Sequence, residues 1–472
     1  MVDSSWVSLI PFLVVIPMAI WLKEILPGLV LGLLVGAYIV SPTWLGGIEQ
    51  TVHYIIHTLS NQDNIKIVSF LYLFGGLVGM MQISGGIKGF ANWVSRKIHT
   101  QKGFLWLIWL TIPFTFITPM FRIMMIGPVL KSLYQKVQLS KERVGYTMDV
   151  STEPIVVLLP VATAFVGFMV SVVGGSMEQN KITGSPYHIF LSSLPYNLFA
   201  WVTLLVGLIT TFGNGSKISG DVPRPGIEQQ NDLHRAGIEK ELSAVRAQPW
   251  HLIYPLFLLL SLTISLLWQN GREQGVTSFL GALAKADATF VMFIAVLITL
   301  LLTLAFYLFR RQPLQELLFH FFDGGNQLMT ANILLILVWS LSLVAQDLGF
   351  STFVSSTLGN VLPPFLVPTI IFVLGSFVSY FIGSSWGTWG LFMPLGVSLA
   401  AATGGSLAVT VGAVFASGTF GAFASPLGDT TITTASILEI PLLDYARYKL
   451  RISLFCGIIT VCLYLVLGFF IR

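Results

Sequence analysis

The chain has 472 residues, of which 54% are hydrophobic and only 10% charged, against the quarter or so that a soluble domain carries. That composition excludes a soluble enzyme or binding module and makes the lipid bilayer the chain's first partner. The net charge of +4 belongs to membrane-flanking loops and gives no nucleic-acid surface, and Cys456 and Cys462 are too few and too close together for a disulfide or metal framework.

Apolar runs near 20 residues mark bilayer crossings. They fall near 6–22, 25–40, 65–83, 104–119, 121–134, 142–173, 195–212, 250–268, 286–309, 327–346, 365–402, 405–440 and 451–471. The first follows Asp3, with no basic flank and no cleavage signature, and reads as a retained span. Segment 104–135 is flanked by Lys88, Arg96, Lys97 and Lys102 before it and Lys131, Lys136, Lys141 and Arg143 after it. Its two ends therefore share a side, and it predicts a re-entrant hairpin turning at Thr118-Pro119. The run at 142–173 is too long for one helix and is broken at Asp149-Val150-Ser151-Thr152-Glu153-Pro154. Polar 213–249, rich in Gly, Pro and mixed charge, is a cytoplasmic linker loop too short to fold alone. A second hairpin over 365–402 turns at Gly383-Ser384-Ser385, and the run at 405–440 is broken at Ser425-Pro426-Leu427-Gly428-Asp429-Thr430-Thr431. This map puts nineteen Lys and Arg on the inner side, Lys449 among them, and five on the outer side, leaving Arg122 in the membrane. The asymmetry is that of a multi-pass protein of a bacterial inner membrane.

Residues 1–212 then hold five spans and a hairpin, and residues 250–472 hold the same. An odd number of crossings inverts the second set. Leu71, Leu77, Gln82 and Gly85 align with Leu335, Leu341, Gln346 and Gly349; Gly127-Pro128 faces Met393-Pro394, and Thr152-Glu153-Pro154 faces Ala424-Ser425-Pro426. The predicted fold is an all-α polytopic membrane protein of two inverted repeats, each of five spans plus one re-entrant hairpin, with broken helices at the midplane. Such repeats are characteristic of alternating-access carriers.

Irregular backbone at membrane depth survives only around a cavity or within protein. The candidate site therefore gathers at the four breaks: Thr118, Arg122, Asp149, Ser151, Thr152, Glu153, Ser384, Ser385, Ser425, Asp429, Thr430 and Thr431. Hydroxyls, freed carbonyls and carboxylates are ligands for a hard cation, which points to Na+ at Asp429, Thr430, Ser384 and Asp149. A charge at the bilayer centre costs at least ~2.5 kcal/mol, which marks Arg122, Asp149, Glu153 and Asp429. Arg122 is either a partner for Glu153 or Asp149 or a fork for a substrate carboxylate. Asp149 also reads as a helix-end residue near the inner surface and Asp429 as an N-cap. Gln82, Asn332, Gln346 and Asp347 read as interhelical hydrogen-bonding residues, and Tyr146, Trp386 and Trp389 as packing, the Trp pair lining a pocket in the alternative.

Gly383-Ser384-Ser385-Trp386-Gly387-Thr388 resembles the Gly-Thr-Ser-Trp-Gly-Thr segment of the NhaC-type sodium/proton antiporters, in the wider ion transporter superfamily. Ser425-Pro426-Leu427-Gly428-Asp429-Thr430-Thr431 resembles that family's Ser-Pro-x-Ser-Asp-Thr-Thr, and the Asp149 segment its Asp-Ser-Thr-x-x-Pro. The resemblance covers most of the chain. It implies exchange of Na+ and H+ as coupling ions with no other cofactor, and the superfamily implies paired hairpins, a homodimer and elevator-like movement. Two departures stand out. Gly421-Ala422-Phe423 replaces the family's Gly-Asp-His, while Glu153 and Arg122 stand where small or neutral residues are usual, so the missing acid moves from one repeat to the other. The alternative is a Na+- or H+-coupled carrier of a small organic anion or amino acid, with Arg122 as its carboxylate binder. An intramembrane aspartyl protease, suggested by Tyr146-x-x-Asp149 and Leu427-Gly428-Asp429, lacks the Pro-Ala-Leu motif.

Overall fold

The computed structural model describes residues 6–83, 100–116, 118–134, 137, 139–161, 163–213, 250–359 and 361–470. Gly85, the basic residues Lys88, Arg96, Lys97 and Lys136, and the linker over 214–249 lie outside them. The described residues are helical, with no strand, because lipid offers a backbone no partner and a helix satisfies its own.

At the N-terminus, α1 (Ile10–Leu22) and α2 (Ile25–Val40) pack antiparallel about a turn at Lys23 and Glu24. With 13 and 16 residues they are about 20 and 24 Å long, shorter than the ~30 Å hydrocarbon layer. Next come α3 (Gly46–Ser60) and α4 (Gln62–Ile83), separated at Asn61, whose side-chain oxygen accepts from the Asp63 amide at 2.9 Å. The first hairpin comprises α5 (Gln101–Leu110), the short α6 (Ile112–Thr115) and α7 (Pro119–Leu133). The first broken crossing runs through α8 (Lys141–Val150), α9 (Glu153–Val156) and α10 (Ala164–Gln179). Then α11 (Pro186–Ser193) and α12 (Leu198–Phe212) close the first half.

The second half contains α13 (Trp250–Glu273), α14 (Phe279–Lys285), α15 (Ala288–Phe309), α16 (Leu314–Gln327), α17 (Met329–Asp347) and α18 (Phe350–Leu358). Its hairpin is α19 (Val367–Ile382) with α20 (Ser385–Thr403), its broken crossing α21 (Leu407–Ala424) with α22 (Asp429–Leu438), and α23 (Leu442–Phe470) ends the chain. Seven helical stretches among the described residues are long and apolar enough to cross a bilayer, and the bent pair Pro186–Tyr196 and Leu198–Phe212 would make an eighth.

The halves meet as inverted images. Asn332 on α17 donates from Nδ2 to the Val68 carbonyl on α4 at 3.3 Å, across the 264 positions that also separate the aligned Leu71 and Leu335. A contact between a residue and its own repeat image lies on the pseudo-two-fold axis. Around it, α3 packs against α17 through Thr58 and Ser340, with hydroxyls 3.3 Å apart. The image helix, α16, packs against α4 at Gly75 and Gly324. A Cβ on either glycine would lie 2.4 or 2.2 Å from the other's carbonyl oxygen. Small residues allow this approach, and in lipid close packing holds helices together.

Candidate functional site

Both hairpins end in the same device. Thr118 is extended and its hydroxyl accepts the Phe121 amide at 3.2 Å, capping α7; Ser384 accepts the Gly387 amide at 3.3 Å, capping α20. Each cap satisfies an amide that helix geometry leaves bare, so the turn can sit deep in the molecule. Gly383 adopts φ +74, and a Cβ there would lie 2.6 Å from the Leu427 carbonyl carbon. The second hairpin tip therefore rests directly on the second helix break, as only glycine allows.

These tips face a cavity of about 500 Å³. Glu153 enters it from the first break and Asp429 and Thr430 from the second, while Thr118, Ser384 and Ser385 enter from the tips. Phe74, Val78 and Gln82 of α4 and Gln327 of α16 form the facing wall. Six of the twelve residues read from the sequence thus share one space. Glu153 is 3% exposed and its Oε2 has no hydrogen-bond partner; the buried Thr430 hydroxyl has none either, and Asp429 is exposed. No Lys, Arg or His is among the described lining residues. Ala422 lines the same cavity, so Glu153 places a carboxyl in the space where the family's missing acid would stand. Trp386 contributes to the lining, whereas Trp389 is buried and donates its indole N–H to the Phe415 carbonyl at 3.1 Å.

The other six candidates form a supporting layer that differs from the sequence expectation. Arg122 does not pair with Glu153 or Asp149. Its five N–H groups go to five neutral oxygens: Thr152 at 2.9 Å, Thr111 at 3.1 Å, Thr115 at 2.6 Å, the Ile108 carbonyl at 2.5 Å and Ser151 at 3.1 Å. Guanidinium has five N–H donors, so none remains for a substrate. Ser151 and Thr152 in turn donate to the Met148 carbonyl. Arg122 therefore ties the first hairpin to the first break. Ser425 accepts the Leu427 amide at 3.0 Å and closes the second break as a turn.

Asp149 is also displaced from the proposed Na+ ligand set. It is fully buried against Lys449, with Nζ 2.5 Å from Oδ2; Tyr445 donates to the same oxygen at 2.7 Å and Thr434 donates to Oδ1 at 2.6 Å. Lys449 also donates to Thr431 at 2.9 Å and lies 4.6 Å above the Phe423 ring, at the position where the resembled family has His. Lys449 is thus no surface loop cation. Its signal in the sequence was Tyr445 four residues earlier, on the same face of a long apolar helix. Of the interhelical residues, Asp347 accepts from Tyr54 at 2.5 Å.

Two inverted halves, paired capped hairpins and two broken helices around one cavity define a multi-pass secondary transporter of the membrane. The chain belongs to the Na+/H+ antiporter family, whose model matches residues 155–469. It is similar to an uncharacterized protein of Haemophilus influenzae, 24% identical over 99% of this chain and 91% of that one. It is also similar to the malate-2H+/Na+-lactate antiporter of Bacillus subtilis (32% identical) and the Na+/H+ antiporter NhaC of Alkalihalophilus pseudofirmus (35% identical), each over 22% of both chains. Among solved structures, MtrF of Neisseria gonorrhoeae matches the fold with a TM-score of 0.61, at 13% identity over 90% of this chain and 85% of that one.

Proposed function

We propose that this transporter exchanges Na+ for H+ across a bacterial inner membrane, with both ions competing for the oxygens of Glu153, Asp429, Thr430 and the two hairpin tips. The observation that carries this reading is the cavity's charge: two carboxyls, an unpartnered Glu153 oxygen and no basic side chain among the described lining residues. A cation suits that set because hard cations bind carboxylate and hydroxyl oxygen. A proton neutralises the same carboxyls, so either ion can occupy the site but each displaces the other. Arg122, with every N–H engaged, stands outside the exchange.

The size of the cavity favours a second reading. Pockets of roughly 300–1,000 Å³ hold small organic ligands, and two of the relatives are named as a malate/lactate and an arginine/ornithine antiporter. In that case a small organic acid travels with Na+, its carboxylate held by the bound Na+ and the capped N-termini of α7 and α20 rather than by Arg122.

Proton release separates the two readings. Addition of Na+ to purified protein in weakly buffered solution should acidify the medium, and Glu153→Gln should reduce the protons released per protein. A wild-type protein that releases none on Na+ addition, yet takes up an organic acid in a Na+-dependent manner, would establish the second reading.

A further inference from the structure

A second cavity, of about 320 Å³, lies along α10 from the first. Phe165, in the first turn of α10, lines the acid-bearing cavity, whereas Val170, Ser171 and Gln179 on the same helix line the second. Between the two, Phe165 and Phe168 pack on Trp386 with ring centres 4.5 and 4.7 Å apart, and Phe165 meets Trp389 at 5.5 Å. These rings are an aromatic plug.

The repeat relates the far walls of the two cavities. Trp339, Ser342 and Gln346 line the second and follow Gly75, Val78 and Gln82 of the first by the same 264 positions that separate Val68 from Asn332. Asp63 and Asn64 precede Gln327 and Leu328 by that interval too. The second cavity therefore has the inverted copy of the transport cavity's wall, with Asp63, Asn64 and Ser342 where the first has Gln327, Leu328 and Val78.

Its chemistry selects a cation. The exposed carboxylates of Asp63, Glu178 and Asp287 line its mouth together with one imidazole, His57, and the nearby Lys66 pairs with Asp63 at 2.8 Å. Deeper in, the amide oxygen and nitrogen of Gln179, which is 5% exposed, have no hydrogen-bond partner, and neither has the buried Ser171 hydroxyl. Unpartnered buried polar atoms are costly unless something fills the site. The space admits about ten waters' volume, enough for a partly hydrated ion.

We propose that this second cavity is a cation-binding antechamber on the face opposite the transport cavity, where a partly hydrated monovalent cation rests on Gln179, Ser171 and Ser342 before the aromatic plug opens toward Glu153 and Asp429. The proposal rests on the cation-exchange reading above and adds a second, sided site to it.

The test uses full-length protein in proteoliposomes of known orientation, with Na+ presented from one face at a time. Gln179→Leu should raise the half-saturating Na+ concentration about five- to tenfold from the face bearing residues 274–287, the loss of one ligand. From the other face it should stay within about twofold. Equal effects from both faces, or none, overturn the antechamber. Wild-type protein that moves no Na+ from either face overturns the cation-exchange reading instead. Should Gln179→Leu fold poorly, Ser342→Cys with Cys456 and Cys462 replaced offers a second measurement. An impermeant thiol reagent should label it from the face of residues 274–287 alone, and Na+ should slow the labelling. Labelling from the opposite face, or with no effect of Na+, overturns the proposal.

Discussion

Asp149 and Glu153 are four residues apart on one broken crossing, both buried, yet their surroundings are opposite. Asp149 has three donors, one of them the ammonium of Lys449, and lines no part of the transport cavity. Glu153 lines that cavity, and its Oε2 has no partner. Arg122 resembles Asp149 in this respect: every donor is matched, by five neutral oxygens. The contrast shows that depth in the membrane does not by itself mark a transport residue. A buried charge whose hydrogen bonds are complete holds elements together, and one left incomplete beside a cavity is free to bind.

The comparison breaks first, and most heavily, at Lys449. Replacing it with Met leaves Asp149 buried without its counter-charge, and thermal unfolding in detergent should show a loss of about 3–5 kcal/mol. The double variant Asp149→Asn with Lys449→Met should recover most of that loss, since it removes both charges together. A Lys449→Met protein as stable as the wild type would remove the structural role assigned to the pair.

Asp429, exposed to the transport cavity rather than buried, groups with Glu153 as a lining carboxyl. Asp429→Asn keeps the shape and start of α22 but removes a negative charge from the cavity. The half-saturating Na+ concentration in proteoliposomes should rise about 100-fold, close to 3 kcal/mol, while the unfolding midpoint stays at the wild-type value. An unfolding midpoint that falls while Na+ affinity holds would move Asp429 into the structural class.

Arg122→Lys should have the smallest effect of the three. Lysine has three donors against five, so at least two oxygens lose their partner, and stability should drop by about 2 kcal/mol. Cargo affinity should stay within about twofold. Abolished uptake of an organic acid at unchanged stability would instead make Arg122 a carboxylate binder and tie it to the cavity.

Much of this site was legible before folding. The breaks at Thr118, Gly383, Ser151 and Ser425 show in the sequence because polar or small residues inside an apolar run leave backbone that only protein or a cavity can satisfy. Glu153 and Asp429 stood out because uncompensated charge is rare at that depth. Lys449 did not, since counting Lys and Arg assigns each cation near a helix end to the surrounding water, and its carboxylate lies 300 positions earlier. The expected pairing of Arg122 with an acid failed for the same reason. Opposite charges in a sequence suggest partners, but three threonines, a serine and a carbonyl offered as many acceptors with no second charge to desolvate.

The order of residues alone therefore determined that the chain is all-helical and membrane-spanning, that it repeats itself inverted, and where its helices break, because each of these follows from local hydropathy and backbone satisfaction. Which buried charges are matched and which face open space was decided only by the tertiary structure. That choice depends on helices hundreds of residues apart, such as α8 against α23, meeting at a particular height and rotation. A shift of one residue on α8 would turn Asp149 by about 100°, and the same shift on α23 would turn Tyr445 and Lys449 as far, so either would part the carboxylate from its donors.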